Sequence, residues 1–344
     1  MYFSLPKIQV MRIIYLFLCA TFFFACKAQK EVSDVDPEIY AQNIKAQTLK
    51  DKLYVFASDE FEGRDTGKEG QKKAAKFIEN FYKSIGVTSP LKDGSYFQEI
   101  PSSYFNDRLP DTENVLGFIP GDGSTDEILV LSAHYDHIGV KGDKIFNGAD
   151  DDGSGSVALL EIANAFKKAV DDGFKPKRGI LFLHVTAEEK GLLGSKYYSE
   201  NPVFPIDATV ANLNTDMIGR VDDDHKDNPN YFYLIGSDRL STELHEISEA
   251  TNEKYVQLEL DYKYNAKDDP NRFYYRSDHY NFAKFDIPVI FYFNGTHDDY
   301  HQHTDTPDKI NYELLAKRAK LIFYTAWEIA NRDKRPFVDQ PTRK

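Results

Sequence analysis

Short apolar runs alternating with amphipathic stretches predict a three-layer αβα fold, in which helices cover both faces of a central mixed, mostly parallel sheet. Three observations carry this. Apolar runs occupy residues 114–119, 127–133, 179–185, 208–213, 231–235 and 287–293. Most lack a polar alternate, as expected of strands buried on both faces. Apolar residues at spacings of three and four mark helices over 156–170, 192–199, 241–251 and 312–331, between or after the runs.

Taken from the amino terminus, Lys7 and Arg12 precede an apolar run at 13–25 that ends at Phe24-Ala25-Cys26-Lys27. The run is short for a membrane span, and its flanks are those of an export signal. A small residue followed by cysteine resembles a bacterial lipoprotein signal, with Cys26 as the lipidated residue. Residues 1–26 are therefore read as a signal segment of lipoprotein type and 27–40 as a polar tether. The expected location is the periplasm or the outer membrane of a bacterium, held through a lipid on Cys26, or the medium if the signal is only cleaved. Both cysteines, Cys19 and Cys26, lie in the signal, which removes disulfides, thiol catalysis and Cys-ligated zinc from the rest of the chain.

Residues 41–335 are read as a single domain and 336–344 as a tail. Helical spacing covers much of 41–85, interrupted by the loop Phe61-Glu62-Gly63-Arg64-Asp65-Thr66-Gly67. Residues 96–100 read as an outer strand. The segment 221–276, rich in Asp, Asn, Lys and Tyr, breaks the strand–helix rhythm and is expected to form excursions over one end of the sheet. A net charge of -13 argues against nucleic-acid or anionic-membrane partners, which demand concentrated Lys and Arg.

Ligands of open α/β sheets collect at the carboxyl ends of strands. His134 and Asp136 follow the run ending at Ala133, Glu188 and Glu189 follow Val185, Asp216 follows the run ending at Leu213, and His301 lies beyond Phe293. Asp150-Asp151-Asp152 precedes Gly153-Ser154-Gly155 at a helix start, where an acidic triplet also serves as a cap. Carboxylates can bridge two divalent ions and cancel their charge, and imidazole adds a neutral ligand that favours zinc. Of two adjacent glutamates, one can ligate while the other remains free as a general base.

The order His-x-Asp, Asp-Asp-Gly-Ser-Gly, Glu-Glu-x-Gly-Leu-x-Gly-Ser, Asp-Met-Ile-Gly and Tyr-His resembles the di-zinc exopeptidases. These are secreted bacterial aminopeptidases of the aminopeptidase Y and S type, with glutamate carboxypeptidases and glutaminyl cyclases as relatives. The resemblance spans residues 53–331. It implies two zinc ions, for which cobalt or manganese can substitute. Asp151 would bridge them, with His134 and Asp216 on one ion and Glu189 and His301 on the other. Glu188 would be the general base, and Asp136 would orient His134 by accepting its other ring N–H. A cis Asp151–Asp152 bond is also implied. His297 and His303 compete with His301, and the Tyr-His frame favours His301.

His137 is read as supporting rather than ligating, His184 as a core histidine, and His225 and His245 as surface residues. Asp278 and His279 are candidate substrate contacts. Only fifteen or so residues lie where relatives insert a protease-associated domain, so none is expected. The activity expected is removal of amino-terminal residues from peptides with a free amino terminus. The alternatives are a glutaminyl cyclase-like enzyme, a carboxypeptidase or dipeptidase using Arg64, Arg272 or Arg276, and a metal-retaining surface lipoprotein without activity.

Overall fold

The computed structural model describes residues 35–342; the signal segment and Cys26 lie outside the described residues. The chain opens with three helices, α1 (Glu38–Ala41), α2 (Ala46–Phe56) and α3 (Glu69–Ile85). Helix α2 buries Leu49, Leu53 and Phe56, and α3 buries Ala74, Ala75, Ile78 and Tyr82, the spacing that puts one stripe of each helix inward. Gly86 in the left-handed conformation (φ 73°) ends α3.

Strands β1 (Phe97–Ile100), β2 (Thr112–Ile119) and β3 (Ile128–His134) follow, then a small hairpin of β4 (Gly139–Lys141) and β5 (Lys144–Phe146). After it come α4 (Gly155–Asp171), β6 (Gly179–Val185), α5 (Leu193–Glu200), β7 (Thr209–Thr215), β8 (Tyr231–Ile235), α6 (Thr242–Thr251), β9 (Glu259–Asp261), α7 (His279–Ala283), β10 (Val289–Phe293) and α8 (Tyr312–Asn331). The eight-stranded sheet has the order β1-β2-β6-β3-β7-β10-β8-β9. Its central strands β6, β3, β7 and β10 are mutually parallel. Strand β2 runs antiparallel to β6 on one side, and β8 antiparallel to β10 on the other. This is the mixed sheet with helical cover that the apolar runs predict.

Successive residues of the central strands serve opposite faces. Ile180 and Phe182 of β6 join the core under α2, α3, α4 and α8, whereas Leu181, Leu183 and Val185 join the core under α5 and α7. Both sets are buried, which explains why β6 reads as an uninterrupted apolar run. Because the four central strands are parallel, their carboxyl ends open on one edge. The β4–β5 hairpin and β9 were not among the expected elements. The hairpin stands on that edge, between His137 and Asp151 in the chain.

Candidate metal centre

His134 is the last residue of β3, Glu188 and Glu189 follow β6, Asp216 follows β7, and His301 lies in the loop beyond β10. Asp151 sits in the turn that leads into α4. The two oxygens of Asp151 face different partners. Oδ1 is 3.1 Å from His134 Nε2, which is itself 3.5 Å from Asp216 Oδ1. Oδ2 is 3.0 Å from His301 Nε2, which is 3.3 Å from Glu189 Oε2. His137 approaches Glu189 from another side, with Nδ1 2.8 Å from Oε1.

Two donor groups therefore share one carboxylate: His134, Asp151 and Asp216, and His137, Asp151 and Glu189, each with donor atoms within 4.8 Å of one another. His134 Nε2, both nitrogens of His137, Asp151 Oδ2 and Glu189 Oε1 are buried without a hydrogen-bond partner. Buried polar atoms are normally paired, because leaving one unpaired costs about 1–3 kcal/mol. Several such atoms converging, all of ligand type, fit the binding of a divalent cation.

The surrounding residues hold the two acids that flank Asp151 through backbone N–H groups. Asp150 accepts from Gly219 N at 2.7 Å and lies 3.1 Å from His297 Nε2. Asp152 accepts from Gly155 N and Met217 N. Thus the flanking acids cap and brace, as a helix-start triplet would, and the middle one is left for the centre. Asp305 Oδ2 accepts the N–H of both Asp150 and Asp151, at 2.9 and 3.2 Å. The Asp151–Asp152 bond is cis. Gly148 (φ 52°) is required: a Cβ there would lie 2.2 Å from the Asp151 carbonyl oxygen and 2.5 Å from the His137 ring.

Asp136 supports the site differently from expectation. His134 Nδ1 is 3.0 Å from the carbonyl oxygen of Asp136, while the carboxylate is 3.8 Å away. The carboxylate instead accepts from Thr66 Oγ1 at 2.8 Å and from Glu188 N at 3.0 Å. The residue two places after His134 does hold the imidazole, but through its backbone; its side chain fixes the turn that carries the two glutamates. Ser277, unmarked by the sequence, donates to Asp216 Oδ2 at 2.7 Å.

Glu188 Oε2 is 4.0 Å from His134 Nε2 and makes no closer ion contact. Burial raises its carboxyl well above the usual range; His134 opposes this, and Asp216, Asp278 and Glu189 add to it. Asp278 and His279 are fully buried, and His279 stacks on Phe291, which lines the pocket beside the donors. His225 is also buried rather than on the surface, stacked on Tyr231 with Nδ1 2.8 Å from Asp222. His184 is a core residue, its Nε2 2.7 Å from Tyr82 Oη.

Beside the donors lies a narrow pocket, bounded by Met217, Phe273, Phe291 and Phe293, with Tyr300 and Arg276 at its mouth. Phe273 and Arg276 come from the end of the irregular 221–276 segment, which thus shapes the pocket. Arg64 does not reach it. That side chain is fully buried, donating to the carbonyl oxygens of Phe56, Tyr135, Asn147 and Gly148.

An α/β sheet with paired carboxylate–imidazole donors at its carboxyl edge defines the class of metal-dependent hydrolases. Residues 114–326 match the model of peptidase family M28, and the chain belongs to that family. It is 26% identical over 314 residues to leupeptin-inactivating enzyme 1 of Streptomyces exfoliatus, an alignment covering 85% of this chain and 63% of that protein. Among solved structures it is similar to the LapA aminopeptidase of Legionella pneumophila, with a TM-score of 0.67, 21% identity, and 87% of this chain and 75% of that one covered. A zinc aminopeptidase of Bacillus subtilis gives a TM-score of 0.65 at 16% identity, over 87% of this chain and 99% of that one. At these identities the structural likeness establishes the fold. The chain spans less than two thirds of the length of leupeptin-inactivating enzyme 1.

Proposed function

We propose that the chain is a zinc-dependent aminopeptidase that removes amino-terminal residues from peptides by two-metal activation of water. The observation that carries this is the division of Asp151, one oxygen toward His134 and the other toward His301, with Glu188 beside them and uncommitted. His134, Asp151 and Asp216 would hold one zinc, and Asp151, Glu189 and His301 the other. Zinc bound there supplies a Lewis acid for the scissile carbonyl and lowers the pKa of water.

The protein's own residues do the rest. Glu188 accepts the proton of the attacking water and returns it to the leaving amine. Its raised affinity for a proton, caused first by burial, suits a group that must hold one between the two steps. The backbone N–H of Glu188, tied to Asp136, keeps its side chain over the donors. The acidic surroundings favour a substrate ammonium group at this edge, which supports an aminopeptidase over a carboxypeptidase. Export through the amino-terminal signal, with lipidation at Cys26, is part of the same proposal.

The test is to incubate the zinc-loaded protein with mixed peptides and follow products by mass spectrometry. Stepwise loss of amino-terminal residues, abolished by chelator, is expected. In Glu188→Gln the rate should fall by about a hundredfold to ten-thousandfold while zinc content is unchanged. Trimming from the carboxyl end, or undiminished turnover in Glu188→Gln, would overturn the reading.

A further inference from the structure

The pocket beside the donors is apolar at its base and cationic at its lip. Phe273, Phe291, Phe293 and Met217 are all buried, and they offer hydrocarbon to an aliphatic chain. The charged groups deeper in the pocket, Asp151, Glu188 and Asp216, are all carboxylates. Among the described residues that line it, Arg276 is the one arginine, and no lysine does.

The state of Arg276 differs from that of the other arginines near the site. Arg64 is enclosed by carbonyl oxygens, and Arg220 is paired with Asp299 at 3.0 Å. Arg272 lies over Tyr275 and does not line the pocket. Arg276 is exposed, lies over the Phe273 ring with its guanidinium carbon 4.9 Å from the centroid, and makes one long contact of 3.4 Å with Tyr300 Oη. Among the described residues no carboxylate lies within ion-pair distance of it. A guanidinium stacked on an aromatic ring keeps its in-plane N–H donors for a ligand, and the ring lowers the entropy lost on binding. In a protein of net charge -13, an unpaired arginine facing a pocket of acids is not explained by local pairing.

We propose that Arg276 is a specificity-determining residue that binds a carboxylate of the substrate, so that the enzyme favours peptides with an acidic group near the scissile bond. This rests on the peptidase reading above and names the substrate class for that site. The carboxylate has two sources with the same chemistry: the side chain of an amino-terminal Glu or Asp, its methylenes against the phenyl floor, or the free terminus of a dipeptide. A bidentate guanidinium–carboxylate contact is strong enough to discriminate about tenfold to a hundredfold against a neutral isostere.

Four peptides separate the sources: Glu-Ala amide against its neutral counterpart Gln-Ala amide, and Ala-Ala against Ala-Ala amide. Each is titrated calorimetrically into zinc-loaded Glu188→Gln protein, which binds without turnover, and into the same protein carrying Arg276→Gln. Hydrolysis by the zinc-loaded wild type, read as release of alanine amide or alanine, runs in parallel. Expected is at least tenfold tighter binding of one acidic member over its neutral partner, lost in Arg276→Gln, and expressed in turnover as a lower KM rather than a higher kcat. Preference in the first pair assigns the side chain, and preference in the second the terminus. Equal binding within both pairs, or a preference that survives Arg276→Gln, overturns the proposal. Absence of hydrolysis with the binding preference intact would instead overturn the peptidase reading and leave carboxylate recognition standing.

Discussion

Arg64 and the cluster around Asp151 are both buried at the carboxyl edge of the sheet, yet their polar atoms are in opposite conditions. The Arg64 guanidinium donates to four backbone carbonyl oxygens and has no unpaired nitrogen. Its task is mechanical: Tyr135, Asn147 and Gly148 lie in the segments that deliver His134, His137 and Asp151. The cluster instead keeps His134 Nε2, both nitrogens of His137, Asp151 Oδ2 and Glu189 Oε1 without a hydrogen-bond partner. Burial of a polar group without a partner is costly, so a fold that satisfies Arg64 completely but leaves its neighbours unpaired has reserved them for something outside the chain. The two regions can be told apart by experiment, because removal of each group damages a different property.

The largest effect is expected at Asp151, the residue common to both donor groups. Asp151→Asn should lose zinc at both positions and lower peptide hydrolysis by about a thousandfold or more. Thermal stability in the presence of chelator should be no worse than that of wild type, since the substitution removes one buried carboxylate from a crowd of them. Zinc content by mass spectrometry under native conditions, together with the melting temperature in chelator, checks both halves. Retention of two zinc ions would dissolve the distinction between the regions.

Arg64→Met should act in the reverse sense. It leaves four carbonyl oxygens with one fewer donor in a dry environment, at a cost of about 3 kcal/mol or more. Denaturant unfolding of the zinc-free protein measures this directly. Zinc affinity should weaken as a consequence, since the loops that carry the ligands lose their tie. If unfolding is unaffected and only zinc binding suffers, Arg64 belongs with the centre and not with the scaffold.

The same contrast explains what was legible in the amino-acid sequence. The sheet was readable because burial on both faces forces uninterrupted apolar runs, as in β6, where every residue from Gly179 to Val185 is buried. The strand ends were readable because ligand-type residues interrupt those runs abruptly. The β4–β5 hairpin was not, since strands of three residues with Lys141 and Lys144 exposed have no periodicity to detect. At the site, His137 was assigned a supporting place because its contact with Glu189 bridges 52 residues of chain and has no local signature. Asp278 and His279 are candidates for substrate contact from the resemblance alone, and nothing in their residue types announces that both side chains are buried, His279 against Phe291. The Asp136 carboxylate shows the same limit: proximity to His134 was evident, but which of its oxygens would face the ring depends on the backbone.

His184 sharpens the comparison further, because it falls between the two conditions. One nitrogen is paired with Tyr82 Oη at 2.7 Å, and the other, Nδ1, is buried without a partner. Yet His184 stands alone, with no carboxylate against it, so an unpaired buried atom reads as a ligand only where several donors converge. Burial pushes the pKa of His184 down to about 3. An unfolded chain binds its proton near pH 6.5, so as pH falls below that value the unfolded state gains a proton that the folded state refuses. Stability is therefore undisturbed by this residue above about pH 6.5 and is lost progressively down to about pH 3, with a cost on the order of 2 kcal/mol at pH 5. His184→Gln keeps an acceptor for Tyr82 but cannot titrate. Its stability relative to wild type should rise by about 2 kcal/mol between pH 7.5 and pH 5, measured by denaturant unfolding of the zinc-free proteins at each pH. Effects of the acidic cluster are common to both proteins and cancel in the difference. A difference that is flat with pH would mean that His184 takes up its proton in the folded protein, and that this part of the core is not as dry as the strands around it imply.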